Sequence, residues 1–521
     1  MASLISAINQ CWRPSLGAAL ISLSLGACAG LPDVSERAAS IALESHPRTT
    51  LAKTVQPAVA AHPGLSGARL LKSGEDAFAS RLVLADAAER SLDVQYYIWK
   101  DDLTGKVLTQ RLLRAADRGV RVRVLFDDIG SKPSDQNLLA LDSHPNLEVR
   151  LFNPVVQRSP KLLGMMLEFG RINRRMHNKS FTADGQVSIL GGRNIGDEYF
   201  AADEVMNFSD LDVAMIGPAV KEVSKAFDLY WNNQSAIGIT DLARGSDPEK
   251  DLAAMRTELA AHEVVAKNSP YANQLRGSMF DGQLKSQLPY HWGSARIVYD
   301  DPDKVATSAR DPRTHMAPAL RAEAMRSKEE LFMVSPYFVP GKEGVANLAA
   351  LRERGPRVVV ITNSLASTDS AAVHGGYKGY RKPLLRAGIE LYELKPTPGV
   401  HSVRHGWSTA ASLDTSLHSK TYSIDRRTLF VGSYNLDPRS KRLNTEIGAL
   451  LDCPELASYL PETVDPALAT ETYRLELDGR RLVWVTQEDG KEVRYDHEPA
   501  TSFWQRFNAE ILSWLPIEGL L

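Results

Sequence analysis

The sequence contains few cysteines and no excess of either charge. Only Cys11, Cys28 and Cys453 occur in 521 residues, which is too few for a disulfide framework or a cysteine-rich zinc site. The 61 Lys and Arg residues balance 63 Asp and Glu residues, giving a net charge of −2. Such a balance gives no electrostatic reason to expect nucleic acid as the partner. With 43% hydrophobic residues, the chain has the composition of a globular protein whose stability depends on its core.

Long hydrophobic runs are also scarce. The only extended apolar stretch is Ser15 to Ala27, which is shorter than the roughly 20 residues of a membrane-spanning helix. It predicts a signal peptide over residues 1–27. Small residues directly before Cys28 resemble the bacterial lipoprotein signal, so we expect a lipid on Cys28 that holds the protein at a membrane of the bacterial envelope, facing the periplasm. The alternative is that Cys28 lies by chance near an ordinary cleavage site.

The chain contains an internal repeat. Residues 66–152 and 294–394 follow the same order of β-branched strands and helices rich in Leu, Ala and Arg. Strands that alternate with helices indicate βαβ units. The predicted fold class is therefore α/β, with two αβα domains related by a pseudo-twofold axis, each built on a mixed, mostly parallel sheet.

The expected boundaries follow from this repeat. They are a linker at 28–60, a first domain at 61–240, a connecting segment at 241–290, a second domain at 291–460 and a C-terminal extension at 461–521. In the extension, Asp478-Gly479 and Asp489-Gly490 predict two hairpin turns. Apolar residues from Phe503 to Leu512 then fall at helical spacing, and we expect this amphipathic helix to pack on a core rather than enter a membrane.

A polar motif, H-x-K-x4-D-x6-G-[GS]-x-N, occurs at the same step of both copies. The shared positions are His177, Lys179, Asp184 and Asn194 in the first motif (172–199), and His418, Lys420, Asp425 and Asn435 in the second (413–440). Side chains two apart on a strand share a face, so the imidazole and ammonium of each motif should point together. A turn after the aspartate returns a second strand. Each motif therefore predicts a hairpin that presents one His, one Lys and one Asn at a common end.

A site with two imidazoles, two ammonium groups and two carboxamides suits phosphoryl transfer. Fixed positive charge and hydrogen-bond donors stabilise an anionic group. One imidazole can attack phosphorus while the other protonates the leaving alkoxide. The sequence has no carboxylate-rich or Cys/His ligand cluster, so neither a metal nor another cofactor is expected.

The paired motif resembles the signature of the phospholipase D superfamily, and the resemblance covers nearly the whole chain after Cys28. The lipoprotein-like N-terminus, the string at 174–179 and the ending at 514–518 are most similar to bacterial C-type cardiolipin synthases. This resemblance implies transfer of a phosphatidyl group from phosphatidylglycerol or phosphatidylethanolamine to phosphatidylglycerol at a membrane surface. The alternatives are a phospholipase D-type hydrolase of phospholipid or nucleic acid, and an inactive repeat protein that only binds lipid.

The resemblance also implies residue roles. His177 is the expected nucleophile and His418 the expected general acid and base, although the sequence alone does not break their symmetry. Lys179, Lys420, Asn194 and Asn435 would bind the phosphate oxygens, and Asp184 and Asp425 would brace their hairpins. We expect Asp212 to orient His177 and Glu446 to orient His418, with Asp210 as an alternative to Asp212. Gly192 stands where the family often has serine, which removes one hydroxyl donor.

Two neighbouring features remain open at the level of sequence. Arg171, Arg174 and Arg175 form either a solvated charge run or contacts for anionic headgroups. The apolar segment from Leu162 to Leu167 belongs either to the core or to a hydrophobic lip that admits acyl chains, and its lack of a clean period slightly favours the lip.

Overall fold

The computed structural model describes residues 30–203, 206–245, 247–279, 289–307, 311–396, 414–514 and 519. Cys28 lies outside these residues. In the first half the strands are β1 Ser66–Leu71, β2 Ser91–Tyr96, β3 Arg121–Asp127, β4 Leu147–Phe152, β5 Ser180–Ala183, β6 Val187–Gly191, β7 Met206–Ser209, β8 Asp212–Ile216 and β9 Ala236–Gly238. The helices are α1 Thr50–Ala61, α2 Gly74–Ala87, α3 Leu103–Asp117, α4 Asp135–Asp142, α5 Lys161–Leu167, α6 Phe169–Ile172, α7 Pro218–Trp231, α8 Ile239–Leu242, α9 Pro248–Lys267 and α10 Pro270–Met279.

The second half repeats this order and adds a hairpin module. Its strands are β10 His291–Tyr299, β11 Glu330–Val334, β12 Arg357–Asn363, β13 Glu390–Leu394, β14 Asp414–Leu417, β15 Thr421–Ile424, β16 Thr428–Gly432, β17 Ile447–Asp452, β18 Thr472–Asp478, β19 Arg481–Glu488 and β20 Lys491–Tyr495. Its helices are α11 Ala317–Ala324, α12 Gly341–Glu353, α13 Ala371–Lys378, α14 Arg381–Arg386, α15 Pro438–Arg442, α16 Pro454–Ala457, α17 Leu468–Glu471 and α18 Phe503–Trp514.

Eighteen of the strands form one continuous mixed sheet in the order β9-β4-β3-β2-β5-β6-β8-β1-β10-β17-β16-β15-β11-β12-β13-β18-β19-β20. The two halves meet where β1 pairs with β10 in antiparallel fashion. Within this sheet only β2-β3-β4 and β11-β12-β13 are parallel. The expectation of a mostly parallel sheet in each domain is therefore wrong, because the motif hairpins and the strands beside them are antiparallel.

The halves share a hydrophobic core as well as a sheet. One buried cluster contains Val213 and Met215 from β8 together with Phe332 from β11 and Leu429 from β16. Two other clusters each fill the space between the sheet and helices of one half. Because the shared cluster lies between the halves, their relative position is fixed by packing rather than by a linker.

The segments predicted as connections contain helices. All but the last residue of α1 lies in the predicted linker, and the Arg37 guanidinium before it donates to the Ala236 carbonyl at 2.5 Å. α9 lies within the predicted connecting segment and packs along α3, with Arg114 and Glu263 forming an ion pair. The opposite charges on α3 and α9 bind this segment to the first half.

The C-terminal extension agrees with its predicted turns but not with its predicted helix packing. Asp478-Gly479 and Asp489-Gly490 form the turns of the β18-β19 and β19-β20 hairpins, with positive φ at Gly479, Asp489 and Gly490. The expectation that the stripe of α18 faces a core is wrong. Of its residues only Ala509 is buried, and its aromatic side chains are exposed. No described helix is long and apolar enough to cross a bilayer.

Each motif hairpin is braced at its turn by the predicted aspartate. Asp184 has a φ of 52° and its carboxylate accepts from the backbone N–H groups of Glu89, Arg90 and Ser91 at 2.8–3.2 Å. Asp425, with a φ of 53°, accepts in the same way from residues 328–330. These aspartates lie at the opposite end of strands β5 and β15 from the His-x-Lys pairs. They therefore hold the hairpins in place and do not reach the site.

Candidate active site

The two motifs meet between the halves, and each is paired through its backbone to the other half. The His177 N–H donates to the Thr445 carbonyl at 2.8 Å, and the His418 N–H donates to the Ser209 carbonyl at 2.8 Å. Just before His418, β14 runs parallel to β7 of the first half. Each histidine is thus positioned by the backbone of the opposite half.

The imidazoles bind carboxylates across the same boundary. His177 Nδ1 lies 2.7 Å from Glu446 Oε2, and His418 Nδ1 lies 2.5 Å from Asp210 Oδ2. Both carboxylates are buried. The expected pairing of Asp212 with His177 and Glu446 with His418 is therefore wrong. The carboxylates are exchanged between the halves, and the carboxylate that the first half supplies is Asp210 rather than Asp212.

The strand register explains the error. Gly191 of the first hairpin pairs with Asp212, and the equivalent Gly432 pairs with Gly448. Asp212 therefore corresponds to Gly448, and the equivalent of Glu446 is Asp210, two residues earlier. Asp212 instead forms a buried ion pair with Arg81 at 2.8 Å. It stabilises the fold of the first half and does not contact a site histidine.

The pairing leaves the Nε2 atom of each imidazole for chemistry, because a carboxylate at Nδ1 favours the Nδ1–H tautomer. Burial lowers the pKa of His177 to about 4, although Glu446 opposes this shift. Burial also lowers the pKa of His418. Burial alone would raise the pKa of Asp210, but His418 beside it lowers that pKa to about 2. At neutral pH His177 is therefore a neutral imidazole beside an ionised carboxylate, whereas ionised Asp210 opposes the effect of burial and favours the protonated form of His418.

The two lysines lie beside the histidines and are almost completely buried. Lys179 Nζ donates to the His177 carbonyl at 2.6 Å, and Lys420 Nζ donates to the His418 carbonyl. Burial lowers the pKa of Lys179 well below its usual value and lowers that of Lys420 to about 8. Burial disfavours the charged form of both lysines, and a bound anion would favour it.

The two asparagines also lie at this edge. Asn194 Oδ1 accepts from the Ile98 N–H at 3.2 Å, next to the end of β2. Asn435 is 5% exposed, and its carboxamide oxygen has no hydrogen-bond partner among the described residues. The structure thus gathers the predicted His, Lys and Asn side chains of both motifs, and their catalytic and binding roles remain predictions.

The two carboxylates are held differently, which explains Gly192. In the second half, Ser433 Oγ donates to Glu446 Oε2 at 2.5 Å and Ser440 Oγ donates to Glu446 Oε1 at 2.7 Å. In the first half, a Cβ atom on Gly192 would lie 2.2 Å from Asp210 Oδ1. The shorter side chain of Asp210 brings its carboxylate against the backbone, so glycine is needed where the other half has a serine.

A buried ion pair, Asp300 with Lys304, holds the backbone of Glu446 in place. Asp300 Oδ2 accepts from the Glu446 N–H at 2.9 Å and from Lys304 Nζ at 3.0 Å. Lys304 Nζ also donates to the Ser440 carbonyl at 2.9 Å. This network fixes both the backbone of Glu446 and the helix that supplies its serine. Sequence reasoning missed it because the residues lie about 140 positions apart.

Aromatic rings complete the walls of the site. The Tyr97 ring lies edge-on to His177, with ring centroids 4.9 Å apart, and the Lys179 ammonium lies 5.2 Å from the same ring. Tyr199 and Phe208 lie 5.2 and 5.0 Å from His418. Tyr97 directly follows β2. Its position at the end of a predicted strand was the sequence feature that could have placed it at the site.

The arginine run is not a solvated charge run, because each of its three side chains is at least partly buried and bound to the protein. Arg175 is buried and binds Asp127 at 2.6 Å. Arg171 pairs with Glu168, and Arg174 donates to backbone carbonyls that include that of Val305 at 3.2 Å. These side chains tie the segment before His177 to its surroundings. Within the described residues, no group of three or more His, Cys, Asp or Glu side chains could hold a metal ion.

Comparison with known proteins gives consistent matches. A family model described as "Cardiolipin synthase, PLD-like domain" matches residues 82–231 and 320–465. The chain is 44% identical over 475 residues to cardiolipin synthase C of Escherichia coli (strain K12), covering 90% of this chain and 99% of that protein. It is 26% identical over 430 residues to cardiolipin synthase A of Pseudomonas aeruginosa (strain LESB58), covering 82% of this chain and 69% of that protein. The crystal structure of phosphatidylserine synthase from Haemophilus influenzae matches with a TM-score of 0.57 at 15% identity, covering 90% of this chain and 100% of that chain, which is a likeness of fold.

The corrected pairing predicts different effects for two nearby aspartates. Asp210→Asn should lower kcat by about 10²–10⁴-fold, because His418 loses the charge that stabilises its imidazolium form, while the thermal midpoint changes little. Asp212→Asn should instead lower the free energy of unfolding by about 3 kcal/mol, since it leaves the buried Arg81 charge without its partner. Turnover rates and unfolding curves of both purified variants distinguish the two effects. Equal losses of turnover at equal stability would contradict the assignment.

The lowered pKa of Lys420 predicts an alkaline limb in the activity profile. As pH rises through about 8, Lys420 loses its proton, and kcat/KM should fall because the phosphate loses a cation. Asp369 raises the pKa of Lys420, so Asp369→Asn should move the limb to lower pH. The measurement is kcat/KM from pH 6 to 10 in the two proteins. A limb that stays at the same pH in the variant would refute this assignment.

Proposed function

This chain belongs to the cardiolipin synthase family of phospholipase D-like domains, and we propose that it is a phosphatidyltransferase that makes cardiolipin. The observation that carries the proposal is the pair of buried imidazoles, each bound at Nδ1 to a carboxylate of the opposite half. One protein chain therefore supplies both a nucleophile and a general acid at one phosphate site. Phosphatidylglycerol or phosphatidylethanolamine donates the phosphatidyl group, and phosphatidylglycerol accepts it.

In the first step His177 Nε2 attacks the phosphorus of the donor, and the bond from phosphorus to the headgroup oxygen breaks. His418, protonated at Nε2 and stabilised by Asp210, gives its proton to the leaving alkoxide, which departs as glycerol or ethanolamine. The products are a phosphohistidine and a neutral His418. The free alcohol leaves the site, and the acceptor lipid takes its place.

In the second step His418 removes the proton from a headgroup hydroxyl of phosphatidylglycerol. The resulting oxygen attacks the phosphohistidine, and the P–N bond to His177 breaks. Cardiolipin leaves, His177 is neutral again and His418 is protonated for the next cycle. Lys179 and Lys420 stabilise the phosphate oxygens in both steps, because their charges are close to the reacting phosphate and shielded from water.

Burial of the site favours transfer over hydrolysis. His177 and His418 are each only 7% exposed, so water has limited access to a phosphohistidine. The relatives named as cardiolipin synthases provide the second support. Hydrolysis to phosphatidic acid is the competing outcome of the same chemistry when water replaces the lipid hydroxyl.

The proposed reaction predicts cardiolipin from a defined lipid mixture. The protein is incubated with phosphatidylglycerol vesicles, with and without phosphatidylethanolamine, and the lipids are analysed by mass spectrometry. We expect cardiolipin from the wild type and none from His177→Ala, which removes the nucleophile. Dependence on phosphatidylethanolamine would identify it as the donor. Phosphatidic acid as the only product would overturn the proposal of transfer.

We also propose that a lipid on Cys28 anchors the protein to a membrane of the bacterial envelope, facing the periplasm. The small residues before Cys28 support this proposal. Mass spectrometry of the N-terminal peptide from membrane-extracted protein should show a diacylglyceryl group on Cys28, and Cys28→Ser should lack it. An unmodified Cys28 in the extracted protein would exclude the anchor.

A further inference from the structure

Two helices of this protein, one in each half, turn large apolar side chains to the outside. On the segment that contains α5 and the start of α6, Leu162 is 69% exposed and Met166 is 71% exposed. Leu163, Leu167 and Phe169 are also exposed. We call these five side chains the first apolar face.

A glycine explains why α5 directs its large side chains outward. Gly164 is the only buried residue of this helix. A Cβ atom there would lie 2.5 Å from the Gln157 carbonyl oxygen and 2.6 Å from a methyl group of Val155. The helix therefore packs on the protein through backbone, and its Leu and Met side chains have no core to enter.

The first apolar face lies next to the active site. Lys161, at the start of α5, binds Asp128 at 2.8 Å. The neighbouring Asp127 accepts from the N–H of Met176 at 3.0 Å, and Met176 directly precedes His177. Both aspartates stand at the carboxyl end of β3, so the face occupies the same edge of the sheet as the site.

The acidic side chains of this segment point inward. Glu168 accepts from the N–H groups of Val156 and Gln157 and pairs with Arg171. Asp128 is buried between Lys161 and Arg158. Each carboxylate is thus neutralised by a cation or by backbone donors beneath the helix. The outer face is left apolar, without negative charge that would repel anionic lipid headgroups.

The second half presents a comparable surface on α18. Its outward side chains are Phe503, Trp504, Phe507, Ile511 and Trp514, between 40% and 77% exposed, and we call them the second apolar face. Here too the packing contact is made by small residues. Ala509 is fully buried, and its carbonyl oxygen lies 3.2 Å from where a Cβ atom of Gly375 in α13 would stand.

The direction of α18 brings its C-terminal end toward the active-site edge. Lys378 of α13 binds Glu510 at 2.6 Å, while Gly375, one turn earlier in α13, approaches Leu512 and Ser513. The two helices therefore run antiparallel. The end of α18 therefore lies toward the start of α13, which begins two residues after Asp369, whose charge acts on Lys420.

From this placement we propose that the two apolar faces seat the active-site edge on a phospholipid bilayer and insert into its acyl region. The inference rests on the proposed function, since a donor and an acceptor that carry acyl chains must both reach this edge. Exposed Leu, Met, Phe and Trp side chains on short helices are typical of elements that lie in a membrane interface. The lipid substrates can then enter the site without their chains crossing water.

Fluorescence of a dye on the faces tests this proposal directly. In the full-length chain with Cys11→Ser and Cys28→Ser, the only remaining native cysteine is Cys453, which is 1% exposed. Met166→Cys or Trp504→Cys is then labelled with an environment-sensitive dye. With phosphatidylglycerol–phosphatidylcholine vesicles we expect a several-fold rise in emission, and quenching by lipids brominated on their acyl chains.

A matched control is available on α9. Val264 is 62% exposed on that helix, which packs on α3 and α4, so a dye at Val264→Cys should respond to neither the vesicles nor the brominated lipid. Equal responses at positions 166 and 264, or no response at 166 and 504, would overturn the proposal. A response at 166 that rises with protein concentration in the absence of vesicles would also overturn it, because it would indicate that a second copy of the chain covers the face.

A kinetic comparison distinguishes an error in the membrane-surface proposal from an error in the proposed function. The double variant Leu162→Asp and Met166→Asp should lose at least ten-fold more activity on vesicles than on dihexanoyl phosphatidylglycerol below its micelle concentration. Val264→Asp with Val265→Asp should lose activity on neither substrate. Equal losses on the two substrates in the first variant would count against the surface. A wild type that makes no cardiolipin from either substrate would refute the proposed function, while the dye experiment would still decide the surface.

Discussion

The exchange of carboxylates between the halves is the interaction on which the rest of the site depends. Neither imidazole has its partner within its own half: His177 binds Glu446 and His418 binds Asp210. Backbone hydrogen bonds from His177 and His418 cross the same boundary, so main-chain contacts between the halves accompany the carboxylate contacts. The joined sheet and the shared hydrophobic cluster serve to keep this boundary closed.

The two imidazole–carboxylate pairs are similar in geometry but unequal in their supports. Glu446 is bound by two serine hydroxyls and backed by the Asp300–Lys304 pair. Asp210 is shorter, lies against Gly192 and accepts from the Leu211 N–H at 2.7 Å. The hydroxyl donors share the negative charge of Glu446 with His177, whereas Asp210 has no hydroxyl donor among its described partners and interacts more strongly with His418. This difference suits the proposed roles, because a general acid needs a stabilised imidazolium and a nucleophile needs a free lone pair.

The features that could be predicted from the sequence are those that depend on residues close together in the chain. The His-x-Lys pairs, the bracing aspartates and the Asp-Gly turns are set by residues close in the chain, and each lies where its pattern indicated. Asp212 and Asp210 lie only two residues apart, and the pairing of β6 with β8 rather than any local pattern shows that Asp210 is the equivalent of Glu446. The predictions of a mostly parallel sheet and of a core-facing α18 were wrong for a related reason, since both depend on which elements lie side by side in the fold. Periodicity shows that a helix has an apolar side but not whether another element covers it.

The crossed pairs also bear on how such a chain could arise. A gene encoding a single half would produce a histidine and a carboxylate that cannot reach each other within one molecule. Two identical copies related by a twofold axis would complete both pairs at once. In such an interface the carboxylate of each copy contacts the histidine of the other. Fusion of two such copies would keep that exchange and allow the halves to differ, as Gly192 with Asp210 differs from Ser433 with Glu446. A mutation of the carboxylate in one half thus affects the histidine of the other half, so the two repeats are constrained to change together.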